Sequence, residues 1–122
     1  MPTVELTRDN FESVVTDNPM VVVDFWAPWC GPCRGFAPVF ENASQSHPDV
    51  VFAKVNTDKE QELAGSFNIR SIPTLMVFRE KVILVQQAGA LPASALEQML
   101  SEVKSVDMAE VRKEIAKRDA TA

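Results

Sequence analysis

Hydrophobic positions follow two rhythms along the chain. Val21-Val22-Val23 and Phe25-Trp26-Ala27 form a nearly continuous β-branched and aromatic run, which predicts a strand buried on both faces. Val50 to Val55 repeats the pattern, as do Thr74 to Phe78 and Val82 to Val85, the last two separated by Arg79-Glu80-Lys81, a hairpin length. Between these runs the period turns helical. Asp9 with Glu12 reads as a capping arrangement ahead of Phe11, Val14 and Val15, and Thr57 with Glu60 as the cap of a helix carrying Leu63, Ala64 and Phe67. After Cys33, Phe36, Val39, Phe40 and Ala43 share one helical face, and Pro38 predicts a kink there. Pro92 suits a first helical turn, followed by Leu96, Met99, Leu100 and Val103 on one side. Strands alternating with helices and ending in a hairpin predict an α/β fold with a mixed central sheet.

No repeat or Gly/Ser-rich linker divides the chain, and 122 residues make one domain of ordinary size. Residues 1–105 carry the α/β pattern. Residues 106–122 differ: from Asp107 onward four basic and four acidic side chains flank a thin stripe of Met108, Val111 and Ile115. This tail reads as a charged, solvated terminal helix that frays, with a docking element as the alternative.

Charge and composition then remove whole classes of function. Twelve Lys and Arg against seventeen Asp and Glu give a net charge of −5, without a basic cluster, so neither nucleic acid nor an anionic membrane is an expected partner. Apolar stretches fall far short of the ~20 residues that cross a bilayer. The opening residues lack a signal-peptide pattern, so a reducing cytoplasm is the expected address.

Cys30 and Cys33 are the only cysteines, and they lie between a buried strand and a helix. With the lone His47 they supply at most three ligands, too few for a closed zinc site, and Arg34 stands where haem attachment needs a histidine. His47 itself reads as a solvated residue before Pro48. Dithiol chemistry and two inert buried thiols remain. Helical residues three apart have Cβ atoms about 5–6 Å from each other, close to disulfide distance. If Cys30 caps the helix, unpaired backbone N–H groups and the helix dipole stabilise its thiolate, leaving Cys33, one turn inward, as the resolving thiol. Gly31 leaves the sulfur approachable. Pro32 removes one donor, so the stabilisation is moderate and the couple reducing.

Here a resemblance enters. Phe25-Trp26-Ala27-Pro28-Trp29-Cys30-Gly31-Pro32-Cys33 resembles the active-site segment of the thioredoxin family, and Ala37-Pro38, Lys54, Arg70-Ser71-Ile72-Pro73-Thr74 and Gly89-Ala90 extend the likeness from about Val4 to about Val103. It implies a five-stranded sheet in the order 1-3-2-4-5 with a first strand near Val4 to Leu6, four flanking helices, and the tail as an extra helix. The implied activity is protein disulfide reduction, with Cys30 and Cys33 cycling between dithiol and disulfide. No bound cofactor is implied. By the same resemblance an NADPH-dependent thioredoxin reductase is expected to restore the dithiol, with disulfide-containing proteins as the targets and a monomer as the expected state. Asp24 has two readings: a solvent-facing strand-end residue, or, as the resemblance implies, a buried acid of raised pKa that exchanges a proton with Cys33. Lys54 is by default an exposed strand residue, which the family places near Asp24. Ile72-Pro73 is by default a turn; in the family the bond is cis and faces the dithiol. Trp29, Gly31, Pro32, Ile72, Gly89 and Ala90 then form an apolar substrate surface beside Pro73. Gly35 and the glycine-free turn Arg79-Glu80-Lys81 depart from the pattern, and the turn predicts a wider or less regular hairpin. A function of another class, a redox-independent binding subunit using the Trp29/Pro73 surface and the tail, is the alternative. An oxidase or isomerase is disfavoured by Gly31-Pro32.

Overall fold

The computed structural model describes residues 3–121. Five strands, β1 (Thr3–Glu5), β2 (Met20–Trp26), β3 (Val51–Asn56), β4 (Thr74–Arg79) and β5 (Val82–Ala88), form one sheet in the order β1-β3-β2-β4-β5. β1 and β2 run parallel to β3, while β4 is antiparallel to both β2 and β5. Parallel neighbours need crossover helices, and these cover both faces. α2 (Gly31–Ser46) and α4 (Ala93–Ser105) lie on one face, where Phe36, Phe40, Leu96 and Leu100 pack on Val22, Phe52, Leu75 and Val77. On the other face α1 (Phe11–Asp17) and α3 (Gln61–Ser66) contribute Val15 and Ala64 against Val21, Val23, Phe25 and Val55.

β2 explains the continuous apolar run. It is the central strand, and Val21, Val22, Val23 and Phe25 have no exposed surface. Burying each such side chain contributes about 1.5–3 kcal/mol. Because successive side chains alternate, Asp24 and Trp26 share the α2 face with Val22. This places Asp24 inside the molecule.

Three caps differ from the sequence expectation. α1 starts after Asn10, whose Oδ1 accepts the Thr7 N–H at 2.7 Å while its Nδ2 donates to the Glu5 carbonyl at 2.9 Å; the β1–α1 turn closes on Asn10, and no capping box forms with Asp9. α3 starts after Glu60, because the Thr57 hydroxyl donates back to the Trp26 carbonyl at 3.0 Å. Pro92 is the residue before α4 rather than its first turn. Of the two expectations for the hairpin, the less regular one holds and the wider one does not. Glu80 and Lys81 both take positive φ, 51° and 71°, as a two-residue turn matched to the strand twist demands, and a register irregularity follows between Val77 and Phe78.

The tail forms α5 (Met108–Thr121), and its first turn is held rather than frayed. Met108 is only 4% exposed. Asp107 Oδ1 accepts the Ala109 and Glu110 N–H groups at 3.0 and 3.3 Å, a side-chain cap. One nitrogen of Arg79, Nη1, donates to the carbonyls of Val103 (2.8 Å), Lys104 (3.1 Å) and Val106 (2.6 Å), so the end of α4 and the α4–α5 link are fastened to β4. Arg112 pairs with Glu80 in the hairpin turn. Val111 and Ile115 are half-buried beside Val82, Ile83 and Leu84. The apolar stripe thus acts together with a cap, an ion pair and a guanidinium clamp.

Candidate active site around Cys30 and Cys33

β2 ends at Trp26 and the chain turns through Ala27-Pro28-Trp29 into α2. Arg34 holds this turn, donating from Nη1 to the Pro28 carbonyl at 2.9 Å. Cys30 is the N-cap residue of α2, with extended backbone (φ −85°, ψ 112°), and Cys33 lies in the first turn. The two form a disulfide with Cα atoms 5.2 Å apart. The N–H of Cys33 points at Cys30 Sγ, 3.2 Å away. Pro32 has no N–H to offer, so Cys30 sits at the positive end of the helix with that amide as its backbone donor. Cys30 is 5% exposed and Cys33 2%, so both are largely covered, Cys33 the more so. Ala27 completes a small cluster with them, against which Trp26 and Ile72 pack.

The Ile72-Pro73 bond is cis. Ile72 presents its carbonyl oxygen 3.9 Å from Cys30 Sγ, Pro73 is buried, and the Pro73 carbonyl accepts the Gly89 N–H at 2.8 Å. Gly89 takes φ 98°, a conformation that favours glycine. Around this junction Gly31, Pro32, Gly89 and Ala90 are exposed, Ile72 is half-buried, and Trp29 is 68% exposed. The Trp29 ring is anchored all the same. Its Nε1–H donates to both carboxylate oxygens of Asp58, at 3.1 and 3.0 Å. Asp58 was not among the expected site residues, and neither was Asn56, whose Oδ1 accepts the Asp58 and Lys59 N–H groups and fixes that turn. An Asn-x-Asp triplet leaving a strand is the turn signal that marks both.

Asp24 has no exposed surface, and neither carboxylate oxygen has a hydrogen-bond partner among the described residues. Burial raises its pKa from 3.8 to about 7, with the Lys54 charge pulling in the opposite direction. Lys54 is the register partner of Asp24 on β3, half-buried, with Nζ 4.6 Å from the centre of the Trp26 ring. The ammonium therefore rests on an aromatic face. His47 lies at the far end of α2 and is not a solvated bystander: Nδ1 accepts from Lys104 Nζ at 2.8 Å, Nε2 donates to Glu97 at 2.8 Å, and the ring stacks on Phe52. It ties α2 to α4.

A cysteine pair at a helix start, the Ile72 carbonyl of a cis prolyl bond beside it and a buried acid in the adjoining strand are arranged for thiol–disulfide exchange. The thioredoxin family model matches residues 2–102. The chain belongs to the thioredoxin family. A Streptomyces coelicolor relative that bears a thioredoxin name is 52% identical over 120 residues, 98% of this chain and 90% of its own length. A thioredoxin of Alicyclobacillus acidocaldarius is 43% identical over 102 residues, covering 83% of this chain and 97% of that protein. Among solved structures, Plasmodium falciparum thioredoxin superposes with a TM-score of 0.77 at 36% identity, over 82% of this chain and 98% of that one. A mutant thioredoxin of Halobacterium salinarum reaches 0.80 at 28% identity, over 86% and 93%. The family's activity is thiol–disulfide oxidoreduction, and this thioredoxin-family chain is a protein disulfide reductase whose redox-active pair is Cys30 and Cys33. No helix among the described residues is long and apolar enough to cross a membrane.

Proposed function

We propose that Cys30 is the attacking and Cys33 the resolving sulfur of this reductase. The Cys30 thiolate bonds to one sulfur of a target disulfide and the other leaves as a thiolate. The Cys33 thiol then loses its proton to the Asp24 carboxylate, and its thiolate attacks Cys30 Sγ. The remaining target sulfur leaves as a second thiolate, and Cys30–Cys33 closes as a disulfide. Two electrons have passed from the dithiol to the target. The observation that carries this reading is the Cys33 N–H aimed at Cys30 Sγ at the start of α2, which favours negative charge on that sulfur. The Asp24 pKa of about 7 suits an acid that gives and takes a proton near neutrality.

Lys54 limits the rise of the Asp24 pKa, Gly31 and Pro32 shape the approach, and Trp29, Ile72, Pro73, Gly89 and Ala90 form the surface on which an extended target segment lies, with Ile72 offering its backbone. An NADPH-dependent thioredoxin reductase returns the dithiol, and the protein works as a monomeric electron donor in cytoplasmic redox homeostasis, where a reducing pool persists. Residues 1–105 form the thioredoxin domain proper and residues 106–122 an added helix.

Trapping tests the assignment. Cys33→Ser accumulates mixed disulfides with target proteins through Cys30, seen on a non-reducing gel, whereas Cys30→Ser accumulates almost none. Equal trapping by the two variants contradicts the division of roles.

A further inference from the structure

Beside the reactive pair the charge balance differs from that of the whole chain. Arg70 stands two residues before Ile72, whose carbonyl lies 3.9 Å from Cys30 Sγ. With Trp29, Ile69, Ser71 and Ile72 it lines an open cleft of about 320 Å³. Its side chain is exposed and, among the described residues, makes no ion pair or hydrogen bond. Arg8 and Arg112, by contrast, each pair with a glutamate. The anion close to the cleft, Asp58, takes its hydrogen bonds from the Trp29 indole N–H and not from Arg70. Arg34, on α2, bonds a neutral carbonyl and, among the described residues, no carboxylate. A protein of net charge −5 therefore carries, on the segments that flank its disulfide, two guanidiniums without an ion pair among the described residues.

We propose that Arg70 is a specificity-determining residue that pairs with a carboxylate on the target segment, one or two residues from the cysteine under attack. The preferred substrates are disulfides flanked by Asp or Glu. An extended segment passing over Ile72 advances about 3.3 Å per residue, so a side chain that close in sequence to the attacked cysteine comes within reach of Arg70. Guanidinium recognises carboxylate through two parallel N–H donors, which lysine cannot reproduce. The apolar wall formed by Trp29 and Ile72 accepts the rest of the segment, and the charge pair sets which segments arrive and in which register.

This inference rests on the reductase reading above, and one experiment separates the two. The full-length dithiol protein is mixed in single turnover with symmetric disulfide dimers of a short peptide. The peptides carry Glu, Gln or Lys on both sides of the cysteine, two residues away. Each turnover releases two peptide thiols, which are counted by chromatography after acid quench. At low salt the Glu peptide reacts about threefold faster than the Gln peptide and the Lys peptide about threefold slower, the size expected of an exposed ion pair. The ranking shrinks toward unity in about 0.5 M NaCl, where screening lengths fall to a few ångströms. Arg70→Gln removes the ranking, Arg70→Glu inverts it, and Lys113→Gln on remote α5 keeps it. A wild-type protein indifferent to the flanking charge overturns the inference, as does a preference that survives Arg70→Glu or that follows Arg34→Gln instead. Failure to reduce even the Gln peptide overturns the reductase reading and this inference with it.

Discussion

Replacing Asp24 by Asn removes one buried charge while keeping the side chain's shape, and the structure sets both the sign and the size of the effect. In the folded protein the carboxyl titrates near 7, against 3.8 for the ordinary group, because no solvent and no hydrogen-bond donor reaches its oxygens. Between those two values the unfolded chain has released the proton and the folded chain still holds it, so stability falls as pH rises, by about 1.4 kcal/mol per unit. Any contribution from this group is fully present below pH 3.8 and has been lost once the pH passes about 7. A displacement of roughly three units converts to about 4 kcal/mol at neutral pH. Asn stays neutral throughout and behaves like the protonated acid. Asp24→Asn is therefore expected to match the wild type near pH 4, to gain on it steadily, and to exceed it by about 4 kcal/mol at pH 7 to 8. Denaturant melts of the disulfide form at several pH values measure this directly. The same variant should resolve mixed disulfides more slowly at pH 7, because Cys33 loses its proton acceptor. Stability curves of the two proteins that run parallel from pH 4 to 8, or a less stable Asp24→Asn, would refute the reasoning.

Met108→Ala should lower stability by about 2 kcal/mol, the low end for a buried methionine, since Met108 joins α5 to the domain at the edge of the core; thermal unfolding checks it. Lys81→Gly should raise stability by about 1 kcal/mol in denaturant melts, since Lys81 holds φ 71° in the hairpin turn and glycine takes that conformation without a Cβ clash.

How far the fold could be read depended on how local each determinant was. β2 to β5 are evident as apolar runs because each is buried over most of its length, whereas β1 is three residues long with Val4 on the surface and was expected only through the family resemblance. Helix starts misled where a polar side chain answered a partner outside the helix it was expected to cap: Asn10 spans Thr7 and Glu5, and Thr57 turns back to Trp26. Cys30 and Cys33 were legible because their spacing is itself the geometry. The Trp29–Asp58 bond joins residues 29 apart, and the Arg79 clamp reaches 24 to 27 residues forward, so neither leaves a local pattern. Arg79 reads as a turn residue and serves as the cap of α4. Asp24 had two readings until alternation along β2 placed it on the α2 face, and no composition argument could choose between them.

The proposed division of roles also has a physical account for why two chemically identical thiols would not compete. Both sulfurs belong to one helical turn, but the helix end and the sheet act on them separately. Cys30 meets the exposed start of α2, where a backbone N–H favours negative charge whether or not a target is present. Cys33, the more covered of the two, belongs to the helix packed on the sheet face that carries Asp24, whose oxygens have no hydrogen-bond partner among the described residues. On the roles proposed above, moving Cys33's proton to the Asp24 carboxylate neutralises a charge that burial disfavours, so the deprotonation of the resolving sulfur is coupled to relief of the Asp24 penalty. Lys54, parked over the Trp26 ring, pulls the Asp24 pKa back down, which keeps enough of the carboxylate ionised at neutrality to act as that acceptor. On that proposal the destabilising charge in the core and the timing of the second step have one physical origin, and substituting Asp24 should alter both together.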